Sequence, residues 1–173
     1  MKKIFLFALG TLLFASCKTT QHTPNTVENS SQKGKPSTAP EEKLYYVEQV
    51  KNDFRSVTEE QKNKFLTDYK ATEPQYSILF FTQGFNGEEV RVENSNGIHF
   101  KGGVTTNQQT GLAKNMRILN TENHSIFDVA TRKTIFINAE LASQHKFIYV
   151  MKDANNKETP YKITYSDLLR PEK

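Results

Sequence analysis

The residues of this chain with the widest chemical range are one cysteine, Cys17, and four histidines, His22, His99, His124 and His145. A nucleophilic hydrolase needs a nucleophile, a base and a group that orients the base. The strained Gly-x-Ser-x-Gly turn that exposes a catalytic serine does not occur in the chain. No His-x-His or His-Glu-x-x-His spacing joins the histidines, and those are the patterns that place two imidazoles on one metal ion. His99 falls within an expected strand, opposite in direction to Ile98 and Phe100, and His124 and His145 fall at strand entrances, so all three read as solvated surface residues. Asp153-Ala154-Asn155-Asn156 is the nearest approach to a calcium loop and lacks the longer alternation of oxygen ligands. Gly84-Phe85-Asn86-Gly87 and Gly102-Gly103 read as turns, because a phosphate cradle needs a following Lys and helix. The carboxylate pairs Glu59-Glu60 and Glu88-Glu89 fit a helix start and an exposed strand end. No catalytic set, cofactor motif or metal motif emerges, so binding or a structural role is expected in place of catalysis.

Aromatic side chains are the remaining candidates for recognition. Tyr45, Tyr46, Phe85, Tyr149, Tyr161 and Tyr165, with Tyr76, fall at positions where many polar residues would be expected. Aromatic faces stack sugars and receive protein partners. The competing account is that they fill a core that has no Trp.

The cysteine gains meaning from what precedes it. Met1–Cys17 reads MKKIFLFALGTLLFASC. Two lysines open it, the run from Ile4 to Phe14 is apolar, and Ala15-Ser16 are small. The run is far short of the about 20 residues a membrane-spanning helix needs and matches a signal-peptide core. This segment resembles the lipobox of bacterial lipoproteins, with Phe14 where that family most often carries Leu. The resemblance covers Met1–Cys17 alone. It implies removal of residues 1–16 and acylation of Cys17, which becomes the lipidated first residue. An ordinary signal peptide with a stray cysteine is the alternative. Acylation would also dispose of a lone thiol in an oxidising compartment. Each buried methylene contributes about 0.8 kcal/mol, so two or three acyl chains anchor a protein firmly. Lys18 after the cysteine resembles lipoproteins sorted to the outer membrane, which implies a periplasmic face.

Residues 17–43 follow as a tether. From Lys18 to Lys43 the chain is Thr, Ser, Asn, Gln, Pro and charge, with Val27 as its one large aliphatic. Such a segment cannot bury enough surface to offset its ordering entropy. Without residues 1–16 the basic count falls from 23 to 21 against 19 acids, a net charge of only +2. That is no nucleic-acid footprint, which needs a clustered basic face.

Residues 44–173 are the size of one domain. From Leu44 to Val57 the apolar spacing of Tyr46, Val50, Phe54 and Val57 suggests a helical stripe, with a strand over Leu44–Val50 as the alternative. Thr58-Glu59-Glu60-Gln61 is a capping box that predicts a helix over about Glu59–Tyr69, ended before Pro74. From Gln75 the texture changes to short β-like runs between turn residues. Tyr76–Thr82 is the most apolar stretch after the signal segment, aromatic-rich and without charge, and is expected as a central strand buried on both faces. Val90 and Val92 alternate with charged neighbours, Asn94–Gly97 is a hairpin turn, and Lys146–Met151 and Tyr161–Tyr165 are late strands.

About eight short strands at this spacing predict a mainly β domain, an antiparallel β-sandwich of Greek-key or jelly-roll type, with one or two N-terminal helices. The expected function is a lipid-anchored binding or structural module of the cell envelope, attached to the membrane through Cys17, with an envelope protein or glycan as partner. Two other functions are carried beside it: an assembly or inhibitor factor that engages one protein by strand addition, and a hydrolase of an envelope polymer.

Overall fold

Alternation of side chains along each strand decides this fold, because one run of residues must serve two faces. The computed structural model describes residues 44–172. The expected signal segment, the Cys17 lipidation site and the tether lie outside the described residues. In chain order the elements are β1 (Tyr46–Val50), α1 (Glu59–Asp68), β2 (Tyr76–Phe81), β3 (Asn86–Asn94), β4 (Gly97–Thr105), β5 (Lys114–Leu119), β6 (His124–Asp128), β7 (Lys133–Ile137), α2 (Ala139–Ala142), β8 (Phe147–Lys152) and β9 (Tyr161–Ser166). The domain is a mainly β sandwich. One sheet has the order β1-β9-β8-β2-β5 and the other β4-β3-β6-β7.

Between the sheets, Leu79, Phe81, Ile148, Val150 and Ile163 of the first meet Val90, Val92, Ile126, Ile135 and Ile137 of the second. The alternate residues of β2 and β8, Ile78, Phe80, Phe147 and Tyr149, point to the far side of the five-stranded sheet. There α1 lies on them. Phe65 stacks on Phe80 with centroids 5.8 Å apart, and Leu66 is buried beside it. β2 is therefore flanked by strands on both sides and buried on both faces, as its largely apolar, uncharged run predicts.

α1 starts where its capping box says it should. Gln61 N donates to Thr58 Oγ1 at 3.3 Å, and Thr58 N donates to Gln61 Oε1 at 3.0 Å. It ends before Pro74 through Lys70, which adopts a left-handed φ of 52°. Lys146 then ties the loop down, its ammonium donating to the carbonyls of Ala71, Glu73 and Tyr76 at 3.0, 2.6 and 3.0 Å.

Four expectations are corrected. Within Leu44–Val57 the structure forms the strand alternative, as β1 over Tyr46–Val50, and no helix. The five-stranded sheet is mixed and not antiparallel, since β1 runs parallel to β9 and β2 parallel to β8. A short crossover helix is unnecessary for either pair, because each joins strands far apart in sequence. Gly102-Gly103 do not bend the chain but continue β4. Finally, a register shift opposite Val92/Glu93 leaves His99 as the extra residue between Ile98 and Phe100. Such a bulge re-aims side chains. Ile98 is thereby exposed, Phe100 packs on the core, and His99 swings to the side of His124 with ring centroids 5.5 Å apart.

Candidate functional site

The six aromatic positions read from the sequence do not form one face. Phe85, Tyr161 and Tyr165 are buried between the sheets, and Tyr45 and Tyr46 pack partly buried against the same core. Tyr149 is buried on the opposite side of the five-stranded sheet. Of the two accounts the sequence offers for these rings, core filling is the one found, and they form no exposed binding face. Burial of large rings is the strongest use a chain without Trp has for them.

His124 corrects a second expectation, for it is only 1% exposed. Its Nδ1 lies 2.9 Å from Glu122 O, so that nitrogen carries the proton and Nε2 faces inward without a partner. Burial pulls its pKa below the ordinary imidazole value. His145 meets Asp167 at 3.3 Å. Among the described residues, no group of three or more His, Cys, Asp or Glu is placed to hold a metal ion.

A polar knot closes one end of the sandwich. Lys152, at the end of β8 and 7% exposed, places its ammonium 2.7 Å from both Glu88 Oε1 of β3 and Asp128 Oδ2 of β6. The Tyr161 hydroxyl of β9 donates to the same Asp128 oxygen at 2.5 Å. Burial alone would lower the Lys152 pKa, but hydrogen bonds to the two carboxylates outweigh it and raise the value. Burial would raise Asp128 and Glu88, and the Lys152 hydrogen bonds bring both below the ordinary carboxylate range. Gly84 makes the approach possible: its φ is +88°, and a Cβ there would fall 1.8 Å from Lys152 O. Every charge here is matched from both sheets, so the knot clamps the sheets together.

The open chemistry lies on the other face of the five-stranded sheet, beside α1. Strand register lines up Gln49, Thr164, Tyr149 and Phe80 across β1, β9, β8 and β2. The neighbouring row carries Lys162 and Met151. Two extended segments cross above. Residues 51–57 run beside the tail that follows β9, with Val57 N donating to Leu169 O at 2.9 Å and Asp167 N to Asn52 Oδ1 at 2.9 Å. These bonds bring Phe54 and Arg170 over Tyr149. The guanidinium carbon of Arg170 lies 4.1 Å from the Phe54 ring centroid and 4.3 Å from that of Tyr149. The two rings meet edge to face at 90°. Tyr149 is itself fixed, its hydroxyl donating to Leu168 O at 2.8 Å and accepting from Arg170 N at 3.0 Å, and burial pushes its pKa up to about 12.

Around Arg170 the sheet surface opens into a cleft of about 360 Å³, lined also by Gln49, Lys51, Lys162 and Thr164. A smaller pocket of about 160 Å³ continues from it past Thr82 and Met151 to Leu112. Among the described residues no acceptor or carboxylate meets the Arg170 guanidinium, and its Nε is buried without a partner. Burial lowers its pKa from the usual guanidinium value, yet Arg remains charged in proteins. Among the described residues the lining holds cations, an amide, hydroxyls and rings, and no His, Cys, Asp or Glu. Such a set recognises negative charge.

Sequence reasoning missed Arg170, Phe54, Lys162 and Gln49. A signal existed in the alternation of β9, where Lys162 and Thr164 interleave with Tyr161, Ile163 and Tyr165. Nothing local announces that the tail returns over that face. Comparison with known proteins finds no family model that matches the chain and no curated protein that matches it.

Proposed function

We propose that this protein is a lipid-anchored binding module of the cell envelope, held by acyl chains on Cys17 at the periplasmic side of the outer membrane, and that it takes its ligand in the cleft around Arg170. The anchor rests on the Met1–Cys17 segment. The binding role rests on one observation: a half-buried guanidinium, gripped by two rings on an open sheet face, has no counter-charge among the described residues. Desolvating a charge without pairing it is costly, and folds tolerate that cost where a ligand supplies the partner.

The test uses the full chain in its bacterial envelope. Palmitate labelling and membrane fractionation should follow the wild-type chain and be lost with Cys17→Ser. Detergent-solubilised protein should capture an envelope component, and Arg170→Gln should reduce that capture at least tenfold. Retained labelling in Cys17→Ser would remove the anchor, and equal capture by Arg170→Gln would remove the binding site.

A second reading, strand addition by a protein partner, is favoured by β1. It is an edge strand with one hydrogen-bonding side unpaired by the other strands, and its Val47 and Val50 are 48% and 53% exposed. Edge strands of this kind accept an extended segment. Proline at Val50, whose N–H faces away from β9 because Lys51 N is the group that donates to Tyr165 O, should abolish capture of such a partner and leave an Arg170-dependent ligand untouched.

A further inference from the structure

Resting on the cleft as a binding site, we infer that its ligand is an acidic saccharide, a sugar unit that bears a carboxylate or a phosphate. Three cations, Lys51, Lys162 and Arg170, line the larger opening, and among the described residues no acid lines it. The Lys162 ammonium has no hydrogen bond or ion pair with another described residue. Among the described residues the Lys51 ammonium meets only the exposed Asp53, at 3.4 Å. Arg170 offers its fork of N–H donors, the geometry that takes a carboxylate or phosphate oxygen pair.

The rest of the cleft fits the body of a sugar. Gln49 Nε2 donates to Thr164 Oγ1 at 2.9 Å, which fixes the amide and leaves its carbonyl oxygen to accept from a hydroxyl. Met151 and the Phe54 ring supply apolar surface for the C–H face of a pyranose. The volume of about 360 Å³ is at the lower end of the range for small-molecule sites.

Other anions fit less well. An acidic peptide is recognised largely through its main chain, and the cleft lies over β9 and β8, whose backbone groups are paired with neighbours on both sides. A membrane surface requires cations that protrude, whereas Arg170 is recessed between two rings. Nucleic acid needs many phosphate contacts, and three cations in one concave opening do not track a backbone.

Isothermal titration of the detergent-solubilised full chain tests this with four probes: digalacturonate, glucose 6-phosphate, neutral maltose and tetraglutamate. Digalacturonate or glucose 6-phosphate should bind at least tenfold more tightly than maltose, and which of them binds tells carboxylate from phosphate. Binding should weaken as salt rises. Arg170→Gln should weaken it at least tenfold and Lys162→Gln about threefold. A thermal melt of each variant separates lost binding from lost folding, and Lys162→Gln, half-buried on a strand face, keeps the test open if Arg170→Gln unfolds. Equal binding of maltose, or binding of tetraglutamate as tight as that of the acidic sugars, would overturn the saccharide assignment. Absence of binding by both acidic sugars would also overturn it. In that case Arg170-dependent capture of an envelope component would show that the cleft binds another class, and loss of that capture as well would take the binding site down with it.

Discussion

Lys152 and Arg170 are both withdrawn from water, and the fold treats them in opposite ways. Lys152 sits at the end of the sandwich with one carboxylate from each of two strands of the other sheet, 2.7 Å away on either side. Arg170 sits on the outer face with a ring on either side and no carboxylate among the described residues. A third cation, Lys146, is satisfied by backbone carbonyls that it ties together. The fold can therefore match a buried cation when the cation serves the fold. Matched charge marks Lys152 as a clamp, and unmatched charge beside an open cleft is what the proposed binding role of Arg170 rests on.

The largest expected effect breaks the clamp. Lys152→Met leaves Glu88 and Asp128 facing each other with their burial uncompensated, and removing one partner of a buried pair costs about 3–5 kcal/mol. Chemical denaturation should show that loss. Adding Glu88→Gln and Asp128→Asn to the same chain should recover part of it, since the penalty lies in the orphaned charges. If Lys152→Met were neutral, the knot would not be a clamp and the contrast with Arg170 would collapse.

Acid and base should find the same knot. Asp128 and Glu88 have depressed folded pKa values, so their stabilisation is present above about pH 4 and lost as pH falls through those folded values. Lys152 has a raised folded pKa, so its stabilisation is complete below about pH 10.4 and lost as pH rises through the folded value. His124 adds a separate acid step. Burial lowers its folded pKa, so below about pH 6.5 the unfolded chain takes up a proton that the folded chain refuses, and stability declines from there. Melting temperature followed from pH 8 to pH 5 should fall in the wild type and flatten in His124→Gln. A wild-type profile already flat over that range would mean that His124 charges freely in the fold.

The parts of this molecule legible in the sequence are those whose cause is local. The capping box of Thr58 and Gln61 located α1, the apolar run of Tyr76–Thr82 located a central strand, and the alternation of Val90 and Val92 located a core face. What was not legible depends on residues far apart. The parallel pairing of β1 with β9 joins the two ends of the domain, and the bulge at His99 depends on what β3 places opposite. The aromatic positions misled because a Tyr beside charged neighbours has the same local pattern whether it is exposed or, like Tyr161, turned inward to Asp128. Arg170 was invisible for the strongest reason. Its value comes from Phe54 and Tyr149, and hydrogen bonds of the tail to residues 51–57 are what bring the three together.

The smallest expected effect on stability sharpens the comparison most. Arg170→Gln removes two cation–π contacts at a partly exposed site, worth about 0.5–2 kcal/mol, and at the same time relieves an unpaired charge of its burial. The two terms oppose each other, so denaturation should place Arg170→Gln within about 1 kcal/mol of the wild type, against the several kcal/mol expected of Lys152→Met. Arg170→Met goes one step further by keeping apolar contact with Phe54 and Tyr149 while removing both the charge and the orphaned N–H groups. A chain that serves stability alone should gain from that change. Arg170→Met as stable as the wild type or more so, and unable to take an acidic ligand, is the result expected of a receptor group. A loss matching that of Lys152→Met would make Arg170 a second clamp, with a counter-charge supplied from within the chain.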